Sequence, residues 1–249
     1  MKKLLTIGIL AGFTMLTACD KTKKDEKGTL KFNVNNVVGN EVMALTSGNY
    51  TNQAGNSFTI SRYAYYLSNF ELIKEDGSSY KIPESYILVN ESEPETKSFS
   101  FSEIPSGAYT KLRLVLGVDS TRNVSGAQTG ALDPIHGMFW DWNTGYIMAK
   151  MEGYSPQSGG PSNLLSFHLG GFSGQYSSVK TVEFPLNPTL NISGNANPTI
   201  TLQSDVLKWF EGFPSTDFST TFSVMSIGAT SYEMSERYKN HLSVKQVEN

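Results

Sequence analysis

A central β-strand is predicted over Gly145-Tyr-Ile-Met-Ala-Lys-Met-Glu152. Apolar residues occupy both sets of alternate positions, with Tyr146 and Met148 in one set and Ile147 and Met151 in the other. Successive side chains of a strand point to opposite faces of the sheet, so both faces of this strand require cover. We therefore expect it to pack in the middle of a sheet and not at an exposed edge.

The flanking sequence alternates between apolar and polar residues with a period of two, as half-buried strands do. Clusters of Gly, Asn, Ser and Pro separate the alternating segments. Many short strands and few helices predict an all-β fold, a two-layer antiparallel β-sandwich. The alternating sets are Leu30, Phe32, Val34; Tyr63, Tyr65, Leu67; and Leu112, Leu114, Leu116, and the further strand candidates are residues 80–89, 97–101, 164–169, 178–186, 199–202 and 220–226.

One or two short helices are predicted near the C-terminus. Ser204-Asp205 can cap a helix over residues 206–210, and Thr230-Ser231 can open another over residues 232–241. His241 lies at the end of the second and is expected to be solvated. Residues 37–56 and 121–130 lack periodicity and are predicted to be loops.

The N-terminus has the pattern of a bacterial lipoprotein leader. A basic start, a short apolar core and Leu16-Thr-Ala-Cys19 predict a signal peptide over residues 1–18 and lipid attachment at Cys19. Residues 19–27 are polar and predict a flexible tether, and residues 28–249 a single domain. We expect a protein anchored by lipid to the bacterial cell envelope, most simply the outer membrane, with the leaflet left open.

Composition excludes some classes of partner and chemistry. The net charge is −3, and the sequence has no stripe of basic residues of the kind that nucleic-acid binding requires. Cys19 is the single cysteine, so no intramolecular disulfide can form. No phosphate-binding loop, zinc-protease motif or nucleophile elbow is present, and we expect a protein that is not an enzyme.

Soft metal donors are concentrated around the central strand. His136 and His168 are two of three histidines, and Met138 lies between them in sequence with Met148 and Met151. Imidazole and thioether groups suit Cu(I), which accepts two nitrogen donors and a soft third. We expect the two histidines to share one ion. The alternative is that one of them is a hydrogen-bonded structural residue.

Trp140 and Trp142 are further candidates for the metal site, and they also have a structural interpretation. Both indoles face one side of an extended segment, where paired aromatic residues commonly pack a core. Asp119 and Asp133 could supply oxygen ligands for Ca²⁺. Aspartates in such turns more often cap the backbone.

Several motifs together resemble the MbnP-like copper-binding domain family. The run from Gly137 to Tyr146, Lys150-Met-Glu-Gly153 and Phe167-His-Leu-Gly-Gly171 is similar to the family's hallmark block. Residues 62–70, 86–89, 116–119 and 130–134 agree with it, so the resemblance covers nearly the whole chain after the tether.

The resemblance implies a copper-binding envelope protein without turnover. Its partners would be a dihaem peroxidase-like protein, which in some relatives oxidises a tryptophan that then helps to bind copper, or a TonB-dependent transporter. It implies His136, His168, Met138, Trp140 and Trp142 as the metal site. The mature chain differs from copper-binding relatives in lacking cysteine pairs, and a ligand-binding or scaffold lipoprotein is the alternative.

Overall fold

A computed structural model describes residues 26–126, 128–140 and 145–249. The predicted leader, Cys19 and Trp142 lie outside the described residues. The strands are β1 (Lys27–Val38), β2 (Glu41–Val42), β3 (Tyr50–Thr51), β4 (Ser57–Ile73), β5 (Ser79–Lys81), β6 (Tyr86–Asn90), β7 (Ser98–Pro105), β8 (Gly107–Leu116), β9 (Ile147–Tyr154), β10 (Leu164–Gly170), β11 (Lys180–Ile192), β12 (Thr199–Asp205), β13 (Ser223–Val224) and β14 (Leu242–Glu248), and the α-helices are α1 (Ser120–Asn123) and α2 (Ala229–Tyr238).

The described strands form two sheets, which confirms the predicted all-β sandwich. The smaller sheet has the order β14-β12-β1-β2, with β7 also paired to β1. The larger has the order β11-β8-β4-β9-β10-β13, with β3, β5 and β6 also paired to β4. Two pairs, β1 with β12 and β10 with β13, are parallel and depart from the antiparallel prediction. Neither pair is joined by a hairpin, so its direction is not fixed by a tight turn.

The main core lies between the sheets and contains the alternating sets that the sequence predicted. Strand β4 supplies apolar side chains along its whole length, and its pairing register shifts between Ile60 and Arg62 and again between Ser68 and Glu71. Such shifts are β-bulges, which change the face on which the following side chains lie. They keep Phe58 and Phe70 in the same core as Tyr63 and Tyr65. The predicted sets in this core are Leu30, Phe32, Val34, Tyr63, Tyr65, Leu67, Leu112, Leu114 and Leu116.

Strand β9 pairs with β4 on one side and β10 on the other, which confirms its predicted central place. Ala149 and Met151 belong to the main core. Met148 belongs to a second, smaller cluster on the opposite face of the larger sheet. This outer cluster is made by Ala64, Tyr66, Leu88, Val118, Leu132, Met138, Trp140, Tyr146, Ile147 and Met148.

The helices differ in detail from the prediction. Asp205 caps as expected, its Oδ1 accepting from Leu207 N at 3.0 Å, but the helix it starts is a 3-10 helix, Val206–Trp209. The second helix begins three residues earlier than expected. The loop predicted over residues 121–130 includes most of α1, because Asp119 caps that turn.

Several strand bounds were also wrong. The candidate over residues 80–89 is divided into β5 and β6, and the one over 220–226 is reduced to β13. Strand β14 was not predicted. Leu242 and Val247 are the two buried residues of this strand, which are too few to give a clear period of two.

His241 is buried, contrary to the prediction of a solvated residue. Its ring stacks on Tyr238 with centroids 4.2 Å apart and meets Tyr65 edge-on at 5.0 Å. Nδ1 donates to the carbonyl oxygen of Tyr238 at 2.8 Å. Burial lowers the pKa of His241 from 6.5 to about 3. The imidazole is therefore a neutral core side chain.

We expect His241 to make the domain sensitive to mild acid. The unfolded chain binds a proton near pH 6.5 and the folded chain only near pH 3, so stability falls as pH drops through that window, by about 1.4 kcal/mol for each unit. Urea unfolding between pH 7.5 and 4.5 should show a shallower loss in His241→Gln than in wild type. His136→Gln is the control, and equal pH dependence in wild type and His241→Gln would contradict the assignment.

Candidate metal centre

A row of polar side chains crosses the outer face of the larger sheet, the face that carries the outer cluster. Register places Arg62 opposite Glu152 and Lys150 opposite His168 on neighbouring strands. Alternation turns Lys150 and Glu152 away from the main core, because Ala149 and Met151 point into it. Three adjacent strands therefore bring two cations, a carboxylate and an imidazole together on one surface.

His168 is held by Glu152. The side chain of His168 is buried, and its Nε2 donates to Glu152 Oε1 at 2.7 Å. This hydrogen bond is the largest cause that lowers the pKa of Glu152, with the nearby charges of Lys150 and Arg62 adding to it. The other ring nitrogen, Nδ1, is buried and has no hydrogen-bond partner among the described residues. In the neutral imidazole Nδ1 carries the lone pair that could bind a metal.

His136 ends a short 3-10 helix, Pro134–His136, in the loop that leads to β9. Gly137 follows with a left-handed backbone (φ 66°), which turns the chain at that point. His136 is half-buried, and its Nε2 donates to the carbonyl oxygen of Gly130 at 3.0 Å. As in His168, the hydrogen bond occupies Nε2 and leaves Nδ1 as the candidate donor atom.

Both histidines lie at the same face of the larger sheet. His136 and Glu152 line one surface depression of about 600 Å³, together with Arg62, and Glu152 in turn contacts His168. The two histidines thus lie on the same side of the larger sheet, as predicted. That the two rings share an ion stays a prediction.

The thioethers and the indole have different surroundings. Met138 and Trp140 are buried in the outer cluster, on the same face as the histidines. Met148 is there too, but its Sδ accepts a hydrogen bond from Val118 N at 3.1 Å. Met151 points into the main core, on the face of the sheet opposite to the two histidines. Trp142 lies outside the described residues.

Trp140 lies directly over Gly170 of β10. A Cβ atom at Gly170 would stand 2.1 Å from the indole ring, so the residue has no room for a side chain while Trp140 keeps its position. The indole thereby packs on the C-terminal end of β10, the strand that also carries His168. The packing role that the sequence left open for this tryptophan is present in the structure.

The two aspartates considered for Ca²⁺ cap turns. Asp119 Oδ1 accepts from Arg122 N at 3.2 Å, and Asp133 Oδ1 accepts from Ile135 N at 2.9 Å. Within residues 26–126, 128–140 and 145–249, no three His, Cys, Asp or Glu side chains are grouped as a metal site. Both carboxylates are thus engaged in capping, the alternative that the sequence left open for them.

The sequence analysis did not identify Arg62 and Lys150 as candidate functional residues, although both lie in this region. Arg62 Nη2 donates to the carbonyl oxygen of His136 at 2.7 Å, and Lys150 Nζ to that of Gly137 at 2.5 Å. Burial, together with the charge of Arg62, lowers the pKa of Lys150 from 10.5 to about 8. The sequence did contain one signal for Lys150, which is a lysine in a mostly apolar strand. A buried charge requires a partner, so such a lysine indicates a polar contact.

We expect Gly170→Ala to displace Trp140 and to destabilise the domain by about 1 to 3 kcal/mol, the usual cost of overpacking. Near-ultraviolet circular dichroism should report the altered indole, and urea unfolding the stability. Gly228→Ala is the matched control, because its backbone is extended and no atom lies within 4 Å of the added carbon. If both variants behaved like wild type, the close approach of Trp140 would be refuted.

No helix among the described residues is both long and apolar enough to cross a membrane.

Comparison with known proteins gives the family. No curated protein matches this sequence. Among solved structures, MbnP from Methylosinus trichosporium matches with a TM-score of 0.51 and 15% identity, over 82% of this chain and 83% of that chain, a likeness of fold. The MbnP family model matches residues 27–226, so the chain belongs to the MbnP family.

Proposed function

We propose that this chain is a lipid-anchored envelope protein that binds one copper ion as Cu(I) and acts as a carrier or acquisition protein without turnover. Family membership and the copper binding that the family resemblance implies favour this metal. The observation that carries the proposal is the ring of His168, whose Nε2 is held by a carboxylate while Nδ1 is buried without a partner among the described residues.

Metal-binding histidines commonly show this arrangement. The ring nitrogen that does not bind the metal donates to a carboxylate or a backbone carbonyl, which fixes the tautomer and the ring orientation. His168 has the carboxylate form, through Glu152, and His136 has the carbonyl form, through Gly130. Both Nδ1 atoms are then the natural ligands.

The surroundings suit Cu(I) better than a hard cation. Cu(I) is satisfied by two imidazoles, with a thioether or another soft group as a third ligand. Met138 and Trp140 lie on the same face as the two histidines. Arg62 and Lys150 add positive charge nearby, which disfavours a divalent ion more than a monovalent one.

A carrier of this kind exchanges its metal with a partner at the envelope. A dihaem peroxidase-like protein or a TonB-dependent transporter is the class of partner that we propose, on the family resemblance. Lipid at Cys19 and the polar residues 20–27 would hold the domain near such a partner and let it reorient.

We expect His136→Ala/His168→Ala to bind Cu(I) at least about tenfold more weakly than wild type, because both nitrogen donors are removed. Anaerobic competition titration measures the affinity. Met151→Leu is the control, since it removes a thioether from the opposite face of the sheet at little cost in volume. Equal affinity of wild type and the double variant would refute the copper site.

We expect Cys19→Ser to release the protein from the membrane fraction with its fold intact. Cys19 is followed in sequence by the polar residues 20–27 and not by a strand pattern, so we expect the core not to depend on the anchor. Fractionation with carbonate washing tests the release, and circular dichroism of the released protein tests the fold. A serine variant that stayed with the washed membranes would contradict lipid attachment at Cys19.

A further inference from the structure

We propose that Arg62, Lys150 and Glu152 are positioning residues that hold the two histidines of the copper site in one connected network. The inference rests on the proposed copper function and assigns these residues a role in it. None of the three is offered as a ligand. Lys150 and Arg62 act on His136 through its backbone, and Glu152 acts on His168 through its ring.

The first half of the network fixes the loop that carries His136. Arg62 and Lys150 donate to two successive carbonyl oxygens, those of His136 and Gly137. Two cations on adjacent carbonyls determine the position of both peptide groups, and with them the direction in which the His136 side chain leaves the backbone. A carbonyl bound by a charged donor is held more firmly than one bound by a neutral donor.

The second half fixes the ring of His168. Glu152 accepts from Nε2, so the hydrogen stays on that nitrogen and Nδ1 is left as the donor atom. A neutral acceptor at this position would keep the hydrogen bond but would hold the ring less strongly.

The two halves are joined by charge. Lys150 and Glu152 are two residues apart on β9, so their side chains leave the same face of the strand. Register places Arg62 directly opposite Glu152 on the neighbouring strand. Displacement of the carboxylate would therefore remove a nearby negative charge from two buried or half-buried cations, and displacement of a cation would remove a nearby positive charge from the carboxylate.

A pair of double-mutant cycles tests this assignment. Lys150→Met should weaken Cu(I) binding about tenfold or more in wild type and should add little in a His136→Ala background, because it acts through His136. Glu152→Gln should likewise weaken Cu(I) binding in wild type, and it should add little further loss in a His168→Ala background. Lys150→Arg should restore most of the affinity, since the guanidinium can donate to the same carbonyl.

Ring NMR signals of the metal-free protein give a readout that does not depend on copper. Lys150→Met should shift or broaden the ring signals of His136, and Glu152→Gln those of His168, while the third histidine, His241, stays unchanged. Lys180→Met is the matched control, because Lys180 is a well-covered, ion-paired lysine on β11 whose partner is Glu236.

The outcomes separate this inference from the copper proposal. If the histidine variants bind copper as wild type does, the copper site is wrong, and the ring signals still decide whether the network positions the histidines. If copper binding needs the histidines but Lys150→Met and Glu152→Gln leave affinity and ring signals unchanged, the positioning role is wrong. Equal losses in the presence and absence of each histidine, or losses matched by Lys180→Met, would also overturn it.

Discussion

The burial of β4 and β9 on both faces is the constraint on which the rest of this structure depends. One face of the larger sheet is covered by the smaller sheet, as in any sandwich. The other face carries Ala64, Tyr66 and Met148, which cannot remain in water without a substantial hydrophobic cost. The chain between β8 and β9 supplies most of the missing cover, through apolar residues that include Leu132, Met138 and Trp140.

Side chains of the sheet hold this cover by its backbone carbonyls. Tyr66 donates to the carbonyl of residue 131, Tyr146 to that of residue 132, Arg62 to that of residue 136 and Lys150 to that of residue 137. A loop packed on a sheet has polar backbone groups that must find partners, and here the sheet provides three of them and Tyr146, just before β9, a fourth. The polar residues beneath the cover are thus explained first by the cover itself, and the candidate metal centre is built on the same contacts.

The sequence predicted those parts of the molecule that depend on local periodicity. The alternation in β1, β4 and β8 identified the faces that form the main core, and the two apolar faces of β9 predicted its central place. Elements whose burial depends on distant partners were missed: β14 has little periodicity, and His241 is buried because the rings of Tyr65 and Tyr238 surround it. A local sequence pattern does not indicate which residues, distant in sequence, will pack around a side chain.

The candidate site divides in the same way. His136 and His168 could be selected from sequence because the chain has three histidines and these two flank one motif. The partners that define their ring nitrogens could not. The hydrogen bond from His168 to Glu152 joins strands at diagonal positions, and its existence depends on the pairing register of β9 with β10. A shift of one residue would have turned Glu152 to the other face.

The way in which the cover is attached bears on how a metal could reach a buried nitrogen. From Met138 onward the cover is bound by backbone hydrogen bonds: Ile147 N donates to Met138 O at 2.9 Å, and Trp140 N donates to Gly145 O at 3.1 Å. From Val118 to Gly137, the hydrogen bonds that join the described part of the cover to the sheet all involve side chains. The second kind of contact can be broken without disturbing strand pairing, and the outer cluster is separate from the main core. Opening of the segment around His136 would break the two charge-assisted hydrogen bonds from Arg62 and Lys150 but no strand pairing, so its free-energy cost is set by local contacts. The arrangement therefore places one candidate ligand, His168, on a strand of the sheet and the other, His136, on a cover held by side-chain contacts, so the two histidines differ in how much structure fixes their positions.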